Sequence, residues 1–264
     1  MIKRLLPFAV ALIALSVFLA AKMHHTMPHL VGEAGNQHRA LVADTQGPTI
    51  ILDTFGSLTS DLWGTIQWRC SEFGRVVTYD HLSTGGSDVG AKPRDARHIA
   101  TELHDLLKAA NLPPPYVLVG YSFGGPYSRV FIDQYPDEVI GLVLIDPSPE
   151  EMFDWLRKKR TDANRISAKD EAEQNEFACT FPSLEQARSA KLPKCPLTLI
   201  TAMRPFGEMD PRLRPRWLAA HQHWLAKIPG AKHIVTYRSD HGIIWEDPDL
   251  VVNTIREMVT QTRR

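Results

Sequence analysis

Tyr116-Val117-Leu118-Val119-Gly120-Tyr121-Ser122-Phe123-Gly124 reads as a buried strand that turns, at a serine, directly into a helix. Residues 116–121 form a short apolar run of the kind that fully buried parallel strands use. Residues 124–135 carry the spacing of a helix. Gly120 to Gly124 is therefore G-x-S-x-G in the strand–turn–helix context that gives this motif its meaning. A turn this tight forces the serine into a strained backbone conformation, and the flanking glycines keep side chains from colliding. The serine oxygen then stands above the sheet edge. The first amides of the following helix lie beside it, where a developing negative charge can be received.

Outward from this point, strands and helices alternate. Apolar runs predict strands over 39–43, 49–53, 75–80, 116–121, 140–146, 197–202 and 233–237. Helices are predicted over 61–71, 94–110, 124–135 and 248–260, the last capped by Asp247 with Pro248 at its first position. This order predicts an α/β fold: a mostly parallel sheet with helices on both faces. Residues 38–146 and 197–264 form the expected core. Residues 147–196 are rich in charge and lack strand signals, which predicts a helical cap or lid inserted between two core strands. Met152, Phe153 and Trp155 would face the site or pin the cap to the core. A solvated excursion with no part in binding is the plainer alternative.

A serine hydroxyl needs a base to take its proton. Of eleven histidines, His241 stands where such a base is needed, after the last strand and before the closing helix. His221 and His223 fall inside a predicted helix, His98 and His104 in an earlier one, and His81 after an interior strand; these read as surface or packed residues. The carboxylate that orients the imidazole should sit within a few residues of a strand end. Asp146 meets that condition. Asp210 meets it poorly, with Glu208 behind, and all three keep the order Ser, acid, His. Asp240 adjoins the base and reads as a turn residue. Two backbone amides should form the oxyanion hole: Phe123, and Phe55 in the turn after residues 49–53, which Gly56 and Ser57 keep open.

These residues resemble the α/β-hydrolase superfamily from about Arg39 to Met258, and within it the bacterial esterase-like α/β-hydrolase-1 group. The segments that carry the likeness are TYDHLSTGGSD, ATELHDLLKAANLPPPYVLVGYSFGG, YPDEVIGLVLIDPS and SDHGIIWEDPDLV. The resemblance implies Ser122 as nucleophile, His241 as base and Asp146 as acid. Two places depart from the common pattern. Asp53-Thr54 stands where His-Gly is frequent, and Asp80-His81-Leu82-Ser83 stands where D-R-x-G is frequent. The oxyanion hole needs only backbone amides, so the first change leaves it intact. The second marks a specialised loop.

Residues 1–21 have a basic start, Lys3-Arg4, then an uncharged apolar run from Leu5 to Ala21. The run is slightly short of the about 20 residues a spanning helix wants. Bulky Phe18 and Leu19 make a poor cleavage site, so a cleaved signal and an uncleaved anchor both stand. Either places the domain outside the cytoplasm, secreted, periplasmic or membrane-anchored, with membrane association through residues 5–21. Residues 22–37 read as a linker. Its His24, His25 and His29 lack acidic or Cys companions, so no metal site is expected. In an oxidising compartment one pair of cysteines can join; Cys179 and Cys195 close a short loop and are the favoured pair, with Cys70 a packed thiol.

Lys plus Arg equals Asp plus Glu, at 30 each, so neither nucleic acid nor an acidic disordered arm is indicated. The expected activity is hydrolysis of a carboxylic ester of a small, apolar substrate through an acyl-enzyme, with no cofactor. Lactonase, thioesterase, amidase, peptidase and acyltransferase activities use the same triad. A serine nucleophile argues against dehalogenase and epoxide hydrolase chemistry, which in this fold uses a carboxylate. A non-catalytic binding protein on the same fold is the reading of a different class.

Overall fold

The structure, a computed structural model, describes residues 28–43, 45, 47–56, 58–151, 154, 175–205 and 212–263. The expectations placed on residues 1–21, His24, His25, Ser57, Met152, Phe153, Trp155, Glu208 and Asp210 fall outside these residues.

Among the described residues eight strands make one sheet: β1 (His29–Val31), β2 (His38–Ala43), β3 (Thr49–Asp53), β4 (Arg75–Tyr79), β5 (Tyr116–Tyr121), β6 (Val139–Ile145), β7 (Leu197–Ala202) and β8 (Lys232–Thr236). Their order across the sheet is β1-β2-β4-β3-β5-β6-β7-β8. β2 pairs antiparallel with β1 and β4, and every other neighbour is parallel. β1 lies within the stretch expected to be a linker. Three residues with no strand pattern become a strand because β2 offers an open antiparallel edge.

The sheet is hydrophobic on both faces, as alternation along its strands requires. Ile51, Tyr116 and Leu118 point into one core; Ile50, Leu52, Val117, Val119 and Tyr121 point into the other. Helices α1 (Gly64–Cys70), which follows a 3₁₀ turn at Ser60–Trp63, and α7 (Pro248–Thr262) cover the second face. On α7, Val251, Val252, Ile255, Met258 and Val259 form the buried stripe, and the Asp247 side chain accepts from the Leu250 N–H at the N-terminus. Helices α2 (Ala96–Ala109) and α3 (Gly124–Gln134) cover the first face. On α2, Ile99, Leu103, Leu106 and Leu107 are buried, and Asp95 caps the N-terminus by accepting from the Arg97 and His98 N–H groups. Each such fully buried aliphatic side chain contributes roughly 1.5–3 kcal/mol of transfer free energy.

Between β6 and β7 the chain makes its long excursion, whose described part includes α4 (Thr180–Ser189). Helix α5 (Leu213–Leu225) joins β7 to β8, and the short α6 (Ile243–Glu246) precedes α7. The expected disulfide is absent: Cys70, Cys179 and Cys195 form no disulfide. Cys179 precedes α4 and Cys195 follows it. The helix Thr180–Ser189 takes up most of the chain that an open loop would leave free to bring the two thiols together. Sequence proximity misled here, because the intervening loop is a rod. Among the described residues no helix is long and apolar enough to cross a membrane.

Candidate active site

The sheet order places the site. β3 is followed by β4 on one side and is flanked by β5 on the other, so the connections diverge between β3 and β5. Such a switch point opens a crevice at the carboxyl ends of the strands. Asp53, the last residue of β3, pairs with Gly120 near the end of β5. The turns that follow the two strands are therefore neighbours.

Ser122 occupies the β5–α3 turn at φ +54°, in the left-handed region. Its N–H donates to the Ile145 carbonyl at 3.1 Å, and its own carbonyl accepts from the Ser148 N–H at 2.9 Å. The neighbouring strand thus holds the strained residue in place. The glycines are required by contact. A Cβ on Gly120 would lie 2.5 Å from the Gly124 carbonyl oxygen, and one on Gly124 would lie 2.3 Å from that of Asp53. The second approach presses the start of α3 against the end of β3. It brings Phe123 beside the Thr54–Gly56 loop, with the Phe55 and Phe123 rings 5.3 Å apart, edge to face.

His241 follows β8 and brings its Nε2 to 2.9 Å from Ser122 Oγ. Its Nδ1 is 2.6 Å from Asp146 Oδ2. The imidazole is fixed from several sides. The Tyr121 ring stacks on it at 5.2 Å, and the Tyr121 hydroxyl donates to the His241 carbonyl at 2.7 Å. The Trp217 ring meets it edge-on at 5.8 Å. Asp240 acts in the turn, accepting from the Gly242 N–H at 2.7 Å.

Asp146 follows β6 at φ +42° and is fully buried. Its Oδ1 accepts from the Ala202 N–H at 3.1 Å, and Arg214 Nη2 lies 2.8 Å from Oδ1 and 2.9 Å from Oδ2. Burial alone would raise its pKa. The His241 hydrogen bond and the charges of His241 and Arg214 outweigh that and hold the carboxyl below the usual range. The same Arg214 Nη2 also donates to the Ala202 carbonyl.

Of the sequence-predicted site residues, Ser122, His241 and Asp146 meet in one hydrogen-bonded chain. Phe123 and Phe55 lie on the two loops that converge beside Ser122. The rival histidines do not approach the serine: His98 binds Asp95, His104 binds Glu138 and His223 binds Glu151. His221 is buried between the Thr201 hydroxyl and the Pro147 carbonyl, each 2.8 Å away, and burial lowers its pKa to about 4. Among the described residues no cluster of His, Cys, Asp or Glu is arranged to hold a metal ion.

Sequence reasoning missed Arg214 and Trp217, which contact Asp146 and His241. With His221 they stand at i, i+3 and i+7, one face of α5. That spacing was legible, but nothing in it said which strand ends α5 would cover. It also missed Glu176, whose Oε1 accepts from the Gly56 N–H at 2.6 Å. A cavity of about 350 Å³ adjoins this loop, with Phe55, Leu82, Arg94 and Phe177 in its wall.

Comparisons with known proteins agree with this architecture. Residues 73–168 match the family model described as the alpha/beta hydrolase fold. The uncharacterized protein YqjL of Bacillus subtilis (strain 168) is 25% identical over 81% of this chain and 83% of its own length. The other curated relatives are spanned over only 14% to 35% of their lengths. Among solved structures, a thermophilic esterase from Thermogutta terrifontis is similar at TM-score 0.62 and 16% identity, over 90% of this chain and 100% of that one. The enol-lactonase from Burkholderia xenovorans LB400 is similar at TM-score 0.60 and 14% identity, over 88% and 100%.

Proposed function

We propose that this chain, which has the α/β-hydrolase fold, is a serine hydrolase of that superfamily that cleaves a carboxylic ester. The observation that carries the reading is the chain of contacts Ser122–His241–Asp146, at 2.9 and 2.6 Å. Catalytic groups within hydrogen-bond reach of one another, with a buried anion behind the base, are what an acyl transfer by serine needs.

In this mechanism His241 Nε2 takes the Ser122 proton as Oγ attacks the acyl carbon. The carbonyl π pair moves onto oxygen, where the amides of Phe123 and Phe55 receive the charge. Asp146 stabilises the imidazolium and keeps its Nδ1 proton in place. Collapse breaks the acyl–oxygen bond; His241 gives its proton to the leaving alcohol. Water then attacks the acyl-enzyme, His241 takes a proton from it, and the acid leaves as Ser122 regains its hydrogen. The cavity beside Phe55 offers apolar wall to a small apolar substrate group. A lactone is a cyclic ester and would pass through the same steps.

The test is covalent labelling by a fluorophosphonate, followed by turnover of a p-nitrophenyl ester series. Labelling of wild type and its loss in Ser122→Ala are expected. Asp146→Asn should lower kcat by roughly 10³–10⁴-fold, while Asp210→Asn should not. A folded wild-type protein that takes no label would overturn the reading, and activity lost only in Asp210→Asn would overturn the assignment of the acid. Export of the domain through residues 1–21 is part of the proposal. Cell fractionation with N-terminal sequencing tests it, since a cytoplasmic protein with an intact Met1 would contradict it.

A further inference from the structure

The two places where this sequence departs from its superfamily's common motifs meet in one buried cluster. Asp53 ends β3, His81 follows β4, and Glu176 comes from the excursion between β6 and β7. His81 Nε2 lies 2.8 Å from Asp53 Oδ1, and Nδ1 lies 3.1 Å from Glu176 Oε2. A neutral imidazole has a single N–H and would turn a lone pair toward one of these carboxylates. The imidazolium donates to both. Burial opposes that charge, but Glu176 and Asp53 outweigh it and raise the His81 pKa to about 10. The Glu176 carboxyl, which burial would raise, is held below its usual range chiefly by His81.

The same two carboxylates grip the loop that carries Phe55. Asp53 Oδ1 accepts from the Thr54 N–H at 2.8 Å. Glu176 Oε1 accepts from the Gly56 N–H at 2.6 Å and from the Tyr127 hydroxyl at 2.7 Å. The Thr84 hydroxyl donates to the Gly56 carbonyl. A Cβ on Gly56 would lie 1.9 Å from Glu176 Oε2, so only glycine admits the carboxylate. The amides on both sides of Phe55 are thus tied to anions that one cation bridges.

We propose that His81 is a positioning residue: by bridging Asp53 and Glu176 it holds the Thr54 and Gly56 amides, and so aims the Phe55 N–H at the developing oxyanion. The proposal rests on the serine-hydrolase reading above. Buried ion clusters are costly relative to apolar packing, which favours a positional task over a purely stabilising one. Misplacement of a hydrogen-bond donor acts on the transition state more than on bound substrate.

The experiment compares wild type with His81→Gln, His81→Arg and Glu176→Gln in p-nitrophenyl acetate turnover and in the rate of fluorophosphonate labelling. In His81→Gln, kcat should fall about 10- to 100-fold with KM changed less than about twofold, and labelling should slow in parallel. His81→Arg keeps a cation between the carboxylates and should recover at least about tenfold of the loss, which a space-filling role would not give. The proposal is overturned if folded His81→Gln keeps kcat within about twofold of wild type, if the loss lies in KM alone, or if Arg gives no recovery. Should His81→Gln fail to fold, Glu176→Gln is read by the same kcat and KM criteria; failure of both to fold marks the cluster as a structural staple and overturns the proposal. A wild type that neither labels nor turns over sinks the serine-hydrolase reading itself, and this inference with it.

Discussion

Arg214 Nη2 lies 2.8 and 2.9 Å from the two carboxylate oxygens of Asp146, and both side chains are buried. The pairing explains how a carboxylate without solvent contact stays ionised behind His241. It also joins Asp146 to His241 through one helix, since the Arg214 guanidinium lies 5.2 Å from the Trp217 ring centroid and Trp217 packs on His241. Replacing Arg214 by Met leaves Asp146 buried with one cationic partner fewer. We expect a loss of roughly 3–5 kcal/mol in stability and a fall in kcat, measured by urea unfolding and ester turnover. A change in stability below about 1 kcal/mol would show that Asp146 does not depend on this partner.

Ser122 carries a backbone conformation that glycine adopts without cost. Ser122→Gly is expected to abolish labelling and to stabilise the fold by about 1 kcal/mol. The unfolding midpoint of the variant decides this, and an unchanged or lowered midpoint would count against strain at the turn.

Gly124 sits against the β3 end with no room for a side chain. Gly124→Ala should force α3 away from Asp53 and cost about 1–3 kcal/mol. The turns that carry Phe123 and Phe55 separate, and on the proposed mechanism kcat should fall more than KM rises. Steady-state kinetics on the folded fraction read the split.

Two buried histidines set the acid side of stability. Burial lowers the pKa of both His38 and His221 to about 4. From the ordinary value near 6.5 down to about 4, the unfolded chain binds protons that the native state refuses. Stability therefore falls as pH drops through that window. His81 has the opposite sign: its pKa is raised to about 10, so its contribution is present below 6.5 and is lost as pH rises through 10. Urea midpoints at pH 5, 7.5 and 10 should be highest at the middle value.

No disulfide is expected. Thiol titration of the denatured, unreduced protein should count Cys70, Cys179 and Cys195 together, and a count of one would restore the Cys179–Cys195 bridge.

The buried centre of the fold was the legible part. β5 and β7 have the bounds their apolar runs predict, because parallel strands covered on both faces are buried along their whole length. The edges were less legible. β1 depends on a partner distant in sequence, and the Cys179–Cys195 expectation ignored the rod between the two thiols. In the site, the order Ser, acid, His admitted Asp146, Asp210 and Glu208 alike, and the strand-end rule ranked Asp146 first. The latter two lie outside the described residues, while Asp146 touches His241.

By itself the sequence determined that a serine stands at a strained strand-to-helix turn, with a histidine after the last strand, because glycine spacing and apolar runs act over a few residues. Only the tertiary structure decided what stands behind those groups. Arg214 against Asp146, and His81 with Glu176 against the Phe55 loop, are contacts between residues 68, 95 and 120 positions apart. Charges that must leave water choose partners by distance in the folded core, and no local pattern records that choice.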